Sequence, residues 1–290
     1  VRVSAGEQAA LPSFTGRKIL AADDSAVNRE VVQEALARLG VDATIVSGGR
    51  AAFSAVAAER FDLILMDCSM PEMDGYAATR AIREFEQSKG RTPTPIIALT
   101  AHVAGEDEEW RDAGMNHYLT KPFTMHALAS SIQLFLKPTP AAAAPLLAPP
   151  TERAESRAPA AAAARAPIAA AAADPLDPKI LAELAQMGGA SLVRRALGLF
   201  ETHSRGAMLQ LAEAVQSADL EKIRSAAHAL KSMSVNVGAR SLGAACGDIE
   251  SAARAGAPVA EIRKLMSAAR AAFLAVHAVI AAAGAKQAAA

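Results

Sequence analysis

Asp67 is placed where a carboxylate could act as a nucleophile. It ends the apolar run of residues 63–66 and opens a turn that contains Pro71 and Gly75. An unbroken apolar run of this length is typical of a strand with both faces covered, as in a parallel sheet. Such sheets expose chemistry at the carboxyl ends of their strands. We therefore predict that Asp67 lies at the mouth of a buried strand, in position to react.

Other reactive side chains follow other predicted strands. Asp23 and Asp24 come directly after the first strand, Thr100 ends the fourth, and Lys121 follows the fifth. Because the carboxyl ends of parallel strands meet at one edge, these groups are expected to converge with Asp67. Clustered carboxylates repel one another, and a bound Mg²⁺ ion would offset that repulsion. Mg²⁺ binds carboxylates together with phosphoryl oxygens. Lysine and threonine can bind the remaining phosphoryl oxygens. The pattern predicts a Mg²⁺ site at which a carboxylate accepts a phosphoryl group.

Each of these residues also has a simpler interpretation. An Asp pair after a strand often caps a helix, and Thr100 alone could do the same. Cys68 is interpreted as a small neighbour of Asp67 rather than as a redox group. A phosphatase or nuclease would use a similar acidic metal site, but Lys121 favours capture of a phosphoryl group over its steady release. The joint order of these residues along alternating strands favours the phosphoacceptor.

The elements that must position these groups alternate along the first part of the chain. Short β-rich runs alternate with helical patterns across residues 16–136, which predicts an α/β unit with a doubly wound, five-stranded parallel sheet. The strands are predicted at residues 18–22, 43–46, 63–66, 96–100 and 117–120, and the helices near residues 26–39, 49–59, 76–87, 106–113 and 125–135.

The remaining residues divide into linkers and a helical unit. Residues 1–15 are interpreted as the remnant of a linker, and residues 137–175 as a flexible linker, because repeated prolines interrupt its alanine-rich helix and leave no core. Residues 176–285 show only amphipathic helical patterns with short turns, which predicts an antiparallel helical bundle. Within it, Asp219 is a predicted N-cap and Gly238 a predicted terminator for a helix over 222–235.

His228 lies on that helix and is a second candidate nucleophile. At 100° per residue, Ile223, Ala227, Leu230 and Ser234 share a stripe that should face the core. His228 falls on another stripe, between Arg224 and Lys231, that is expected to face outward. An exposed imidazole can attack phosphorus, and the two cations would steady a phosphoryl group. A solvated surface histidine is the simpler alternative.

The first unit resembles the receiver domain of bacterial two-component response regulators. The resemblance rests on Asp23-Asp24, Asp67 within residues 66–75, Thr100-Ala101 and Lys121-Pro122-Phe123. It implies a flavodoxin-like fold in which Asp67 is phosphorylated. It also implies that Mg²⁺ is held by Asp67, by Asp24 directly, by Asp23 through water and by the backbone carbonyl of Ser69.

The same resemblance assigns the other residues at the sheet edge. Thr100 and Lys121 would hold the phosphoryl oxygens, and the rotamer of Tyr118 would follow Thr100. The Lys121–Pro122 peptide would be cis.

The bundle resembles the histidine phosphotransfer (HPt) domain, which carries one phosphorylatable histidine. The resemblance rests on residues 227–231, Ala-His-Ala-Leu-Lys, followed by Gly238-Ala239. It implies that His228 is phosphorylated beside Lys231. That family usually has glycine after the lysine, where this chain has Ser232. A serine is small enough for a receiver to approach and could hydrogen-bond the imidazole, which leaves the docking geometry open.

Composition narrows the function further. The chain has 30 Lys and Arg and 30 Asp and Glu, so its net charge gives no indication of nucleic-acid binding. Its apolar content is largely alanine, and no strongly apolar stretch or signal peptide is expected, so we predict a protein without direct membrane contact. Its two cysteines, Cys68 and Cys246, fall in different predicted domains, which favours a reduced, cytoplasmic compartment.

The leading hypothesis is the receiver and HPt tail of a hybrid sensor histidine kinase, cut from a longer protein whose membrane anchorage is left open. A phosphoryl group would pass from the phospho-His of an upstream histidine kinase domain to Asp67. It would then pass between Asp67 and His228, or to a separate receiver or HPt domain. The two domains of this chain could contact each other for that transfer. No glycine-rich ATP loop is found, so the chain is not expected to phosphorylate itself from ATP. Whether it counts as an enzyme beyond phosphotransfer between His and Asp is left open. In the alternative hypothesis, the receiver is a phosphorylation-controlled inhibitory module of a kinase.

Overall fold

The computed structural model describes residues 11–100, 109–139 and 175–288. The strands are β1 Lys18–Ala22, β2 Asp42–Val46, β3 Leu63–Asp67, β4 Ile96–Thr100 and β5 His117–Thr120. The helices are α1 Ala26–Arg38, α2 Gly49–Ala58, α3 Gly75–Ser88, α4 Glu109–Asp112, α5 Met125–Gln133, α6 Pro178–Gln216, α7 Leu220–Asn236, α8 Arg240–Arg254 and α9 Val259–Ala288. The predicted strands and helices agree to within two residues at each end, except for the predicted helix 106–113, which begins outside the described residues.

The five strands form one parallel sheet in the order β2-β1-β3-β4-β5. This order confirms the doubly wound, flavodoxin-like prediction. The chain reverses its direction of winding between β1 and β3, and the crevice at that point is where open α/β sheets bind ligands. Asp23 follows β1 and Asp67 ends β3, so both carboxylates lie at the switch point.

Both faces of the sheet are covered, which explains the unbroken apolar strands. Alternate residues of a strand point to opposite faces. In β3, Leu63 and Leu65 pack with the core beneath α1 and α5, whereas Ile64 and Met66 pack with the core beneath α2 and α3. All four side chains are fully buried. A strand that must satisfy two cores cannot carry a polar residue until it leaves the sheet, and in β3 that residue is Asp67.

Phe14 marks the near end of the α/β unit. It is fully buried, and its N–H donates to the Leu39 carbonyl at 2.7 Å, so the packing of this unit includes a residue before the predicted boundary at 16. Residues 1–10 of the predicted first linker and 140–174 of the predicted second linker lie outside the described residues.

Helices α6 to α9 pack around a second apolar core, which also includes Val27 and Val31 of α1. The predicted cap is confirmed, since the Asp219 side chain accepts from the Lys222 N–H. Gly238 follows α7 with a φ of 78°, as a helix-terminating glycine should. Helix α6 is broken at Gly188 and Gly189, where the second glycine has a φ of 68°.

One helix in the described residues, at 259–283, is long and apolar enough by length and composition to cross a bilayer. This finding corrects the expectation that no such stretch exists, because alanines supply much of its hydropathy. Its buried residues Ile262, Met266 and Ala269 pack in the bundle core, as in the core helix of a helical domain.

Gly75 provides a test of how the phosphoacceptor strand meets α3. A Cβ added there would lie 2.1 Å from the backbone oxygen of Asp67. We therefore expect Gly75→Ala to lower the free energy of unfolding of the α/β unit by about 1–3 kcal/mol, as overpacking does. Urea unfolding followed by the fluorescence of Trp110, the single tryptophan, reports on that unit, because Trp110 lies on α4.

Gly48→Ala is the matched control, because nothing lies within 4 Å of its added Cβ. Equal stability of the two variants would contradict the close approach of α3 to Asp67.

Candidate functional site

Three carboxylates and one ammonium meet at the switch point of the sheet. One oxygen from each of Asp23, Asp24 and Asp67 lies within 4.8 Å of the others. Lys121 Nζ lies 2.6 Å from Asp23 Oδ2 and 2.9 Å from Asp67 Oδ2. Asp23, Asp67 and Lys121 are all buried. The structure thus brings together the residues that the sequence placed at the ends of separate strands.

The β1–α1 loop is held in place by backbone contacts. Asp23 Oδ1 accepts from the Ser25 N–H at 2.9 Å, and the Ser25 side chain caps α1. Arg29 Nη1 donates to the carbonyls of Asp23 and Asp24 at 2.8 and 2.7 Å. Asp23 therefore takes part in the loop's hydrogen bonding as well as in the acidic cluster, but the N-cap of α1 is Ser25, so the capping interpretation of the Asp pair is wrong.

Burial dominates the electrostatics of the cluster. It raises the pKa of Asp67 well above its usual range, against the opposing charge of Lys121. It also raises the pKa of Asp24, with Asp23 adding to the rise and Lys121 and His228 opposing it. Burial alone would lower the pKa of Lys121, but Asp23 and Asp67 outweigh it and the net shift is upward, so the ammonium is charged. Lys121 thus pairs with two of the three carboxylates.

The donor set fits a hard divalent cation. Asp24 Oδ1 is buried and has no hydrogen-bond partner within the part of the chain that the structure describes. A buried, unpartnered carboxylate oxygen is costly, and coordination to a cation removes that cost. Mg²⁺ takes oxygen ligands and is bound through a few carboxylates plus phosphoryl oxygens and waters.

The other predicted residues at this edge lie close by. Thr100 ends β4 and is half-buried. The Ser69 N–H donates to Asp67 Oδ1 at 3.3 Å, and the metal-binding role of its carbonyl stays a prediction. The Tyr118 ring lies 5.6 Å from the Trp110 ring, centroid to centroid. The Lys121–Pro122 peptide is cis, as the resemblance implied.

Cys68 shows no sign of a reactive thiol. Burial raises its pKa to about 12, which keeps it protonated and supports its interpretation as a small neighbour of Asp67.

A second centre lies on α7. His228 Nδ1 is 2.9 Å from Glu250 Oε1, and Glu250 is buried on α8. Burial acts to raise the pKa of Glu250, but the hydrogen bonds and charges of His228 and Lys231 outweigh it and bring the pKa to about 2. An ionised carboxylate can only accept, so Nδ1 carries a proton, and in the neutral form of the imidazole the lone pair is on Nε2.

The surroundings of His228 differ from the sequence prediction in two ways. The His228 side chain is 10% exposed rather than projecting into solvent, and α7 packs against α1 of the α/β unit. Lys231 donates to Glu250 Oε2 at 3.1 Å, and Arg224 pairs with Glu221. The predicted core stripe is confirmed, since Ile223, Ala227, Leu230 and Ser234 are fully buried.

Helix α1 joins the two units. Val27 and Val31 belong to the apolar core of the bundle, while Val32 and Leu36 on the other side of α1 belong to the core of the α/β unit. At the edge of this contact, Arg195 forms ion pairs with Glu30 and Glu34, and Arg38 donates to the carbonyls of Gln186 and Met187 where α6 breaks. Within α7, Ser232 lies one turn from His228, and Asn28 links the Ser232 hydroxyl group to Asp23 of the acidic cluster.

Sequence reasoning missed Glu250 and Asn28. Glu250 follows Cys246 by four positions on the apolar stripe of α8, and a carboxylate inside an apolar stripe is a signal that could have been noticed. Asn28 is buried and hydrogen-bonded to Asp23 and to Ser232, but nothing in its local sequence distinguishes it.

Family models match both units. Residues 19–133 match the response regulator receiver domain, and residues 195–278 match the Hpt domain. This chain joins a receiver domain to an Hpt domain. Such a pair has a role in phosphorelays, and the sequence resemblances are confirmed for both units.

Relatives match the receiver part of the chain. The sensor protein GacS of Pseudomonas syringae pv. syringae is 44% identical over 116 residues, which is 40% of this chain and 13% of GacS. The hybrid signal transduction histidine kinase K of Dictyostelium discoideum is 34% identical over 125 residues, covering 41% of this chain and 10% of that protein. The chain thus spans only a small part of these relatives.

A solved receiver domain of a sensor histidine kinase from Pseudomonas aeruginosa is 42% identical and has a TM-score of 0.39. The match covers 42% of this chain and 98% of that one, which holds a magnesium ion in its active-site cleft.

Neutralising Asp24 tests the electrostatic crowding. Because the folded-state pKa of Asp24 is raised, its contribution to stability is present at low pH and is lost as pH rises through that pKa. Asp24→Asn should therefore raise the free energy of unfolding of the metal-free receiver at pH 7, and this gain should shrink as pH falls through the raised pKa of Asp24 and be lost below the usual value of 3.8. Added Mg²⁺ should stabilise the wild type and have little effect on the variant.

Urea unfolding followed by Trp110 fluorescence, with a chelator or with Mg²⁺, gives both results. Glu84→Gln removes an exposed charge from α3 and should change neither. An Asp24→Asn receiver that is less stable than the wild type without metal would refute the crowding.

Replacing Glu250 tests the state of His228. Nitrogen-15 NMR of the imidazole should show the Nδ1–H tautomer in the wild type. Glu250→Gln should shift that balance, because an uncharged amide holds the Nδ1 proton less firmly. Glu221→Gln, which neutralises an exposed carboxylate on α7, should leave the imidazole signals unchanged. A wild-type proton on Nε2 would contradict the assignment.

Proposed function

We propose that this chain relays a phosphoryl group between Asp67 and His228, in a Mg²⁺-dependent reaction fed by the phospho-His of an upstream histidine kinase. The observation that carries this proposal is the packing of α7 on α1, where Asn28 bridges Asp23 of the carboxylate cluster and Ser232, one turn of α7 from His228. Receiver and Hpt domains on one chain support the same reading, since they are the acceptor and carrier modules of a phosphorelay.

Asp67 is the proposed acceptor. Mg²⁺, held by Asp23, Asp24, Asp67 and the Ser69 carbonyl, would supply positive charge to the phosphoryl oxygens. Lys121 is placed to neutralise a further oxygen, and Thr100 to donate a hydrogen bond to another. An Asp67 oxygen attacks phosphorus, the bond from phosphorus to the donor nitrogen breaks, and the donor imidazole keeps the electron pair.

His228 is the proposed second carrier. Its Nε2 lone pair attacks the phosphorus on Asp67, the bond to the Asp67 oxygen breaks, and the carboxylate leaves with the electron pair. Positive charge develops on the imidazole ring as this bond forms. Glu250, bonded to Nδ1 at 2.9 Å, stabilises that charge and retains the proton, much as a carboxylate does for the histidine of a catalytic triad. The reverse transfer uses the same groups.

A second function is favoured by one feature of the docked arrangement. His228 is 8% exposed, so it cannot meet an external partner while the domains are in contact. The receiver would then act as a phosphorylation-controlled inhibitory module that withholds His228. The two functions are compatible if the contact opens between transfers.

We further propose that downstream partners are a separate receiver or Hpt domain, and that the chain works in the cytoplasm within a longer kinase. Onward transfer from His228 to a separate receiver distinguishes the relay from the inhibitory module.

Transfer between the two carriers is the decisive prediction. The chain, incubated with a phospho-His donor and Mg²⁺, should form acid-stable and acid-labile phosphoryl species at Asp67 and His228 that are separable by their hydrolysis profiles. Asp67→Asn should lose both species, because His228 is filled through Asp67. His228→Gln should retain the phospho-Asp and pass nothing onward.

His203→Gln, which replaces an exposed histidine of α6, is the matched control and should behave as the wild type. Onward transfer by His228→Gln at the wild-type rate would exclude the relay.

A further inference from the structure

The contact between receiver and Hpt domain has a buried polar centre. Asn28 of α1 is 2% exposed, and Ser232 and Asn236 of α7 are 6% and 8% exposed. None of the three belongs to the carboxylate cluster or carries the nucleophile.

Asn28 uses its whole side-chain amide in this centre. Its two N–H groups donate to Asp23 Oδ2 at 3.0 Å and to Ser232 Oγ at 2.8 Å. Its carbonyl oxygen accepts from Asn236 Nδ2. Asn28 therefore connects a carboxylate of the acidic cluster directly to the helix that bears His228.

The spacing of residues along α7 means that these hydrogen bonds determine the register of the helix on the receiver. His228, Ser232 and Asn236 follow one another at four-residue intervals and share one face of the helix. Sliding α7 by one turn would move the imidazole by about 5.4 Å. It would also place the wrong residues opposite Asn28, so the two hydrogen bonds allow one register.

Apart from the hydrogen bonds that Arg38 donates to the Gln186 and Met187 carbonyls, the rest of the contact allows a wider range of positions. Val27 and Val31 pack with the Hpt core through non-directional apolar contacts. The ion pairs of Arg195 lie at the exposed edge, where such pairs contribute little. Buried hydrogen bonds are directional and costly to leave unmade, so they fix register better than either.

We propose that Asn28, Ser232 and Asn236 form a polar clamp that sets the register of the Hpt domain on its own receiver and places His228 opposite Asp67. This inference rests on the proposed function, since it concerns the transfer between those two residues. Ser232, which stands where the related family usually has glycine, is then a positioning residue through its hydroxyl group. The sequence left open a bond from this serine to the imidazole; the bond is made to Asn28 instead.

The clamp also gives specificity for the partner. A receiver without an amide at the position of Asn28 would leave Ser232 and Asn236 buried without partners.

Single-turnover transfer in the full chain tests the clamp. Asp67 is loaded with acetyl phosphate and Mg²⁺, so that an Asp67 oxygen bonds to phosphorus and acetate leaves. The excess donor is removed, and the appearance of phosphate on His228 is timed. Ser232→Ala and Asn236→Ala should each slow this step by about 3- to 10-fold, the value of one buried hydrogen bond. The rate of loading Asp67 should change little. Ser241→Ala, at an exposed serine of α8, is the matched control and should not slow transfer.

A double-mutant cycle separates the clamp from an effect within α7. In an Asn28→Ala background, Ser232→Ala should add no further loss of transfer rate. The NMR signals of the Asn28 side-chain amide should shift in Ser232→Ala and stay unchanged in Ser241→Ala.

Two outcomes would overturn the clamp while leaving the relay intact: transfer in Ser232→Gly as fast as in the wild type, or additive losses in the cycle. Absence of transfer to His228 in the wild type would instead refute the proposed function, and the clamp with it.

Discussion

The rest of the structure depends on a shortage of positive charge at the carboxyl edge of the sheet. Three carboxylates converge there, and Lys121 lies 2.6 and 2.9 Å from two of them. Burial raises the pKa values of Asp24 and Asp67, the neighbouring carboxylates add to the rise, and the opposing charge of Lys121 does not cancel it. A divalent cation would supply the missing positive charge. A phosphoryl group bound to the same cation would then be held beside Asp67, which can accept it. Helices α1 and α3 pack on opposite faces of the sheet, and this packing holds the strand ends that carry these groups.

Helix α1 carries the consequence from the receiver to the Hpt domain. One side of α1 packs in the receiver core and the other side packs in the Hpt core, so both apolar sides of the helix are covered. Its N-terminal turn lies beside Asp23 and Asp24, and Asn28 reaches both Asp23 and α7. The acidic cluster and the histidine are therefore positioned by the same short helix, which explains how two separately folded cores can present their reactive groups to each other.

Much of the receiver was predictable because its chemistry is local to strand ends. A strand such as β3 must be apolar until it leaves the sheet, so Asp67 marks its own position in the sequence. The caps at Asp219 and Gly238 were predictable for a similar reason, since they satisfy neighbouring backbone groups. The exposure predicted for His228 was wrong because helical periodicity identifies a face that is free of its own core, and it does not show whether another domain covers that face.

Long-range pairings could not be predicted in the same way. Glu250 is 22 positions from His228, and Asn28 is 204 positions from Ser232. Each pair depends on how two helices pack, which the spacing within either helix does not determine. The best available signal was Val27 and Val31 on α1, two apolar residues on the side that the receiver core does not use. Such an apolar stripe indicates that another element covers this side of α1, but it does not identify that element.

The central claim is that Asp67 and His228 exchange a phosphoryl group within one chain. The most direct measurement is the rate constant of transfer from loaded Asp67 to His228 over a hundredfold range of protein concentration. Transfer between docked domains of one chain predicts a first-order rate constant that does not change on dilution. A rate constant that falls in proportion to concentration would show that the groups meet only between chains, and would contradict the docked arrangement as the path of transfer.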